Sequence, residues 1–282
     1  MSAGQPVNAM SIDVEDYFQV AAFAPYIERH RWDGMECRVE RNVALILDLL
    51  DRHATKATFF TLGWIAERYP ALVREIVARG HELASHGYGH LRASDQTPDS
   101  FREDLAVAKA ILEDIGGVAV TGYRAPSFSI GEDNLWAHDV IAETGHRYSS
   151  SVYPIAHDHY GMPAAPRFAW RTDSGVVEIP PSSLRLLGRN LPASGGGYFR
   201  LLPYPVSRWS IQRINRQDGQ SCIFYFHPWE VDPQQPRIAQ AGAKSKFRHY
   251  LNLDRMAARL DRLLADFRWD RVDRVFADHL SH

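Results

Sequence analysis

Cysteine is scarce in this chain of 282 residues: Cys37 and Cys222 stand far apart, with no Cys-x-x-Cys pair. Two such residues build neither a zinc ribbon nor a disulfide framework, and they suit a reducing compartment. Net charge is nearly absent, −2 from 32 basic and 34 acidic side chains, so no global field favours nucleic acid or an anionic membrane. No apolar run reaches the length of a membrane span. Met1 to Pro6 carries neither the basic n-region nor the apolar h-region of a secretory leader. A cytoplasmic location is the expectation. No internal repeat or low-complexity tract is present. What remains is an ordinary globular composition, 45% hydrophobic and 23% charged, sufficient for one full core.

Strand-like runs alternate with helical ones. Asn8–Val14 is a short apolar run, and Val39–Arg52 has its aliphatic residues at helical spacing. Residues 57–62 are aromatic and β-rich, and 65–79 predict one amphipathic helix closed by Gly80. Glu82–Ser85 reads as a strand. Thr97-Pro98-Asp99 opens a helix that stops at Gly116-Gly117. Further strands are expected near 118–123, 147–151, 176–179 and 221–226, and helices over 132–144, 205–216 and 252–267. Residues 157–170, rich in Pro, Gly and His, read as a long loop. Repeated strand–helix units predict parallel strands joined by crossovers. The pattern alone does not separate an open barrel from a doubly wound sheet.

Polar signatures follow four of the expected strands. Ser85-His86-Gly87-Tyr88-Gly89-His90 sets two imidazoles four residues apart. Asp13-Val14-Glu15-Asp16 places carboxylates at the end of the first apolar run. Two histidines and one carboxylate leave open positions on a metal, as a hydrolytic site requires. Histidine pairs often occur without metal, and no Glu follows His86, so the zincin pattern is excluded. Arg124-Ala125-Pro126-Ser127-Phe128 and Phe226-His227-Pro228-Trp229-Glu230 complete the set. Parallel barrels place their sites at such strand C-terminal ends.

In this order the four segments resemble the polysaccharide deacetylase family, the NodB-homology carbohydrate esterases. The closer resemblance is to a subgroup found beside exopolysaccharide and exosortase loci. It rests on Asp-Val-Glu-Asp-Tyr-Phe at 13–18, Tyr-Ser-Ser-Ser-Val-Tyr-Pro at 148–154, Gly-Gly-Gly-Tyr-Phe-Arg at 195–200 and Phe-His-Pro-Trp-Glu at 226–230. Phe-Arg-His-Tyr-Leu-Asn-Leu-Asp at 247–254 extends it over nearly the whole chain.

The resemblance implies an α/β fold, a distorted, partly open (β/α)7 barrel over about 8–232, with a C-terminal helical extension at 233–282 in one domain. It implies removal of N-acetyl groups from amino sugars of a surface polysaccharide or its precursor. One divalent ion is expected, zinc first, with cobalt, nickel or manganese as substitutes. By the same resemblance Asp13 is the general base, and Asp16, His86 and His90 are the metal ligands. Glu15 competes with Asp16, because in an extended strand it shares a face with Asp13. Arg124 would orient Asp13 through a bidentate contact. The Ser127 backbone N–H would face the oxyanion, and His227 would protonate the departing amine. Trp229 would be an apolar wall or sugar platform, although an aromatic after a strand is more often core. The family's usual fourth-motif Asp is replaced by Ser149, leaving Asp158 or Glu230 to pair with His227. Gly195-Gly196-Gly197 reads as a flexible lid or turn. Lys244 to His249 would attract an anionic saccharide or form a solvated basic turn. The competing functions are an allantoinase-like hydrolase of a small amide and an inactive glycan-binding module.

Overall fold

The apolar run Asn8–Val14 forms strand β1, buried along its whole length. A strand covered on both faces belongs inside a parallel sheet. A computed structural model gives the structure and describes residues 6–158 and 160–281; residues 1–5 of the stretch read for a leader lie outside them. The strands that follow are β2 (Thr58–Thr61), β3 (Glu82–Ser85), β4 (Gly122–Tyr123), β5 (Tyr148–Ser149), β6 (Trp170–Arg171), β7 (Val177–Glu178), β8 (Ser183–Leu186), β9 (Arg189–Pro192), β10 (Ile223–Phe226) and β11 (Trp269–Asp270).

The main sheet runs β10-β1-β2-β3-β4-β5-β7-β6, with β11 added beside the start of β1. From β10 to β7 every pairing is parallel, giving seven parallel strands. Among the described residues β7 and β10 share no ladder. Across the gap the Ile223 N–H donates to Ser182 Oγ at 2.8 Å. The fold is the distorted, partly open α/β barrel expected.

Period-two alternation sorts the residues of β1. Met10, Ile12 and Val14 join the core with Val43, Ile46 and Leu47 of helix α1 (Val39–Arg52). Ser11 and Asp13 point the other way, into the barrel, where both meet Arg124. The outer helices continue with α2 (Gly63–Arg68), α3 (Pro70–Ala78), α4 (Pro98–Gly116), α5 (Ala137–Glu143), α6 (Gly196–Leu201), α7 (Tyr204–Arg213), α8 (Ala243–Tyr250) and α9 (Leu253–Asp266). Helix α4 begins as its sequence dictates: Thr97 and Ser100 form a capping box, and Pro98 takes the first turn, where its missing N–H is not needed. Helix α9 docks through Leu253, Met256, Leu260, Leu263 and Leu264, all buried. Each such side chain contributes about 1.5–3 kcal/mol by leaving water.

Three expectations change. The single helix at 65–79 is two helices, broken at Tyr69 (φ −127°, ψ 58°), because the residue before Pro70 is driven out of the helical region. Residues 183–192 form a hairpin, β8 against β9, that was not anticipated. The C-terminal segment is not purely helical, since β11 pairs with Asn8 and Ala9 of β1. No helix among the described residues is long and apolar enough to cross a membrane.

Candidate active site

The strand ends bring together most of the polar residues singled out above. Arg124, following β4, is 0% exposed. Its guanidinium donates to Asp13 Oδ1 at 2.6 Å, Ser11 Oγ at 2.9 Å, Ser150 Oγ at 2.9 Å and the Ser150 carbonyl at 3.2 Å. The contact with Asp13 is therefore single rather than bidentate: three other donors of the fork go to the two serines. Asp13 keeps Oδ2 free of Arg124.

The carboxylate beside the histidine pair is Glu15, not Asp16. Glu15 Oε2 lies 2.7 Å from His90 Nε2, and ligand atoms of Glu15, His86 and His90 all fall within 4.8 Å of one another. Asp16 faces the opposite way. Its carboxylate accepts from the backbone N–H groups of Arg38 (2.5 Å) and Val39 (2.9 Å), satisfying donors at the start of α1. The cause is a tight turn at the end of β1, where the Glu15 N–H donates to the Asp13 carbonyl at 3.0 Å. It keeps Asp13 and Glu15 on the barrel side and turns Asp16 away.

The cluster fits a divalent cation. Glu15 Oε2 is buried and accepts no hydrogen bond, although it faces an imidazole nitrogen. His86 Nδ1 lies 2.8 Å from the Arg124 carbonyl, an acceptor only, so Nδ1 carries the proton and Nε2 presents a lone pair. Burial outweighs the neighbouring carboxylates and lowers His86 to about 4, keeping it neutral. Burial would raise Glu15, but His90 and His227 outweigh it and bring Glu15 down to about 2. Neutral imidazole and ionised carboxylate are the forms that bind metal.

The histidine loop is held from behind by Asp104 of α4, which sequence reading missed. Asp104 Oδ1 accepts the Tyr88 N–H at 3.2 Å. Gly87 has φ +75°, and a Cβ there would sit 2.6 Å from Asp104 Oδ2, so only glycine suits the turn. Glu178 was missed as well. It accepts from the Ser151 N–H (2.6 Å), the Val152 N–H (2.9 Å) and His138 Nε2 (3.1 Å), fixing the serine loop that holds Arg124.

His227 closes the site after β10, its side chain 21% exposed, with Nε2 3.6 Å from Glu15 Oε1 and 3.8 Å from Asp13 Oδ2. Glu230 Oε1 accepts from its Nδ1 at 2.8 Å and from its backbone N–H at 3.1 Å. Burial disfavours the imidazolium, but Glu15, Glu230 and Asp13 prevail and raise His227 to about 9. A cation on Glu15 would offset that carboxylate's share and leave the other two. Glu230 thus takes the place of the missing fourth-motif carboxylate. Asp158 does not, being paired with Lys244 and Arg248. Ser149 donates to Ser151 Oγ at 2.8 Å inside the serine loop.

Trp229 is no sugar platform. It is 6% exposed, stacked between His227 (5.2 Å) and His249 (4.0 Å), and its indole N–H donates to Glu15 Oε1 at 3.3 Å. Ser127 lies in the turn just after Arg124, with φ 57°. The glycine run is not a lid: Gly195 and Gly196 are buried, and a Cβ on Gly196 would overlap the Glu230 carboxylate. The basic turn is largely engaged. Lys244 and Arg248 hold Asp158, Lys246 donates to the Ala239 carbonyl, and His249 is buried.

Fold and site together give an open parallel α/β barrel with a two-histidine, one-carboxylate cluster, able to hold a metal ion, at its strand C-terminal ends. Residues 32–149 match the family model described as polysaccharide deacetylase, and residues 150–277 match one described as a domain of unknown function, DUF3473. The chain is 38% identical over 93 residues to a peptidoglycan-N-acetylglucosamine deacetylase of Bacillus cereus, covering 33% of this chain and 34% of that protein. It is 33% identical over 153 residues to a chitooligosaccharide deacetylase of Sinorhizobium fredii, covering 52% and 65%. It thus spans less than two thirds of the length of either relative. A solved Mycobacterium smegmatis structure classed with the polysaccharide deacetylases superposes with a TM-score of 0.66 at 20% identity, covering 100% of this chain and 92% of that one. At that identity the likeness is one of fold. The match of residues 32–149 and the likeness to these deacetylases support a polysaccharide deacetylase.

Proposed function

We propose that the protein is a metal-dependent N-deacetylase acting on N-acetylated amino sugars of a surface polysaccharide, with an exopolysaccharide or its precursor as the substrate class. The observation that carries this reading is the convergence of Glu15, His86 and His90 with His227, whose Nε2 lies 3.6 Å from Glu15 Oε1 and 3.8 Å from Asp13 Oδ2. Glu15, His86 and His90 would hold the ion, and imidazole with carboxylate suits zinc. When bound, the ion supplies Lewis-acid polarisation of the acetyl carbonyl and lowers the pKa of water.

The residues of the chain do the rest. Arg124 occupies Asp13 Oδ1, so Oδ2 is the oxygen that takes the proton from the attacking water. Glu230 occupies His227 Nδ1, so Nε2 donates a proton to the amine nitrogen as the C–N bond breaks. Acetate and the free amino sugar are the products. Ser127, at the strand-exit turn, is the proposed backbone donor to the oxyanion. Cys37 and Cys222 are both free thiols, which supports a cytoplasmic location.

The test is acetate release from N-acetylglucosamine oligomers and ring-opening of allantoin to allantoate, each with and without a chelator. Chelator-sensitive release from the oligomers alone supports the proposal. Ring-opening of allantoin alone replaces it with the small-amide reading, and turnover of neither leaves the glycan-binding module.

A further inference from the structure

The groups that hold His227 Nδ1 and the face of its ring, Glu230 and Trp229, come from residues 150–277, the half matched to a domain of unknown function. The support extends beyond Glu230. Arg200 of α6 is 1% exposed, and its Nε donates to Glu230 Oε2 at 2.6 Å. Its remaining donors go to the carbonyls of Arg248 (3.2 Å), His249 (2.9 Å) and Leu251 (2.6 Å), at the end of α8. A planar fork with several donors can meet a carboxylate and a helix end together, which a lysine ammonium does not match. A buried charge must be paired in this way to be tolerated.

Two further observations point to the ring of His227 as what the arrangement serves. Glycine at 196 admits the Glu230 carboxylate where any Cβ would collide. Trp229, 5.4 Å from the Arg200 guanidinium, lies between the imidazoles of His227 and His249, with interplanar angles of 17° and 14°. The plane of His227 is set by stacking, and its rotation within the plane by Glu230. Arg200 holds the second oxygen of Glu230 and the backbone that carries His249.

We propose that Arg200 is a positioning residue for the proton-donor half of the site. Acting through Glu230 and α8, it aims His227 Nε2 at the space beside Asp13 and Glu15. Residues 150–277 thereby serve as the carrier of that half-site. This rests on the reading of His227 as the donor to the leaving amine.

The experiment compares wild type, Arg200→Met, Arg200→Lys and Glu230→Gln as full-length, zinc-loaded protein. Bound zinc per chain reports whether Glu15, His86 and His90 remain assembled. The Nδ1–H resonance of His227 in histidine-15N-labelled protein, assigned by its loss in His227→Gln, reports the carboxylate contact. Turnover is followed on N-acetylglucosamine oligomers and on phenyl acetate, whose leaving group needs little protonation. The expected result is unchanged zinc and a displaced His227 resonance in Arg200→Met and Glu230→Gln, with partial return in Arg200→Lys. Amide turnover falls on the order of tenfold or more, while KM and ester turnover change by less than about threefold. A His227 resonance indifferent to Arg200→Met in zinc-loaded protein overturns the proposal, as does an equal fall on both substrates. Should Arg200→Met fail to fold, Arg200→Lys and Glu230→Gln carry the same readouts. A wild type that cleaves the ester but no acetamide refutes the deacetylase reading, and the resonance still decides the positioning.

Discussion

Replacing Arg124 with methionine tests the electrostatic centre of the site. The guanidinium is fully buried and makes four side-chain hydrogen bonds, one of them to Asp13, and it lies 4.1 Å from the Phe60 ring. Methionine restores much of the volume and none of the donors. Asp13 is then a buried carboxylate without its partner, and two acceptors on Ser150 lose theirs. Breaking a buried pair from one side costs about 3–5 kcal/mol, chiefly because a charge is stranded. Asp13→Asn strands the arginine instead and is expected to fall in the same range. Arg124→Met with Asp13→Asn strands neither charge. The two changes therefore combine to less than their sum, by about 1–3 kcal/mol. Urea denaturation followed by tryptophan fluorescence measures all three variants against wild type. A single-variant loss below about 1 kcal/mol, or strict additivity in the double variant, would show that the pair is not the buried, mutually dependent unit described.

Other consequences follow from the same geometry. Glu15→Ala, His86→Ala and His90→Ala should each lose chelator-sensitive metal, measured by elemental analysis. Asp16→Ala should keep the metal and lose about 0.5–2 kcal/mol as the start of α1 loses its acceptor; metal loss in Asp16→Ala with retention in Glu15→Ala would restore the first register. Gly87→Ala forces a left-handed alanine against Asp104, and the expected outcome is weaker metal retention, which Asp104→Ala in the same chain partly relieves by removing the obstruction. At the opposite end of the barrel, burial and then Asp273 raise Glu82 to about 7, against the donors Thr58, Tyr148 and the Asp273 N–H and with Arg271 nearby. A carboxyl raised in the folded state contributes stability that is full below its unfolded value near 4.5 and is lost as pH rises through about 7. Urea midpoints should accordingly decline over that window in wild type and flatten in Glu82→Gln.

The elements most legible in the sequence were those with a strong period or a cap. Helices α1, α4 and α9 announce themselves by apolar spacing and by Thr97-Pro98, and β1 by an unbroken buried run. The two-residue strands β4, β5 and β7 carry too little pattern to be bounded that way; each is extended mainly because its neighbours are. The hairpin of β8 and β9 was hidden because its turn is Leu187-Gly188, with Leu187 at φ 49°. Asparagine or glycine is the usual signal there. Asp104 was visible in principle: it stands on the buried stripe of α4 with Phe101, Leu105 and Ala108, and a carboxylate on an apolar stripe calls for a partner.

The ligand register failed for a different reason. Choosing Glu15 over Asp16 depends on where α1 begins, 23 residues after Asp16, because the N–H groups of Arg38 and Val39 at its start claim Asp16. No local pattern contains that information. The same long-range dependence runs through the whole site. The family matches divide the chain at 149/150, yet β1, from the first part, pairs with β2 of its own part on one edge and with β10 of the other part on its opposite edge. Asp13, Glu15, His86 and His90 stand on one side of that division, and His227, Glu230 and Arg200 on the other. Neither part forms the seven-stranded parallel sheet alone, and neither carries both Asp13 and His227. The functional unit here is the sheet that joins them.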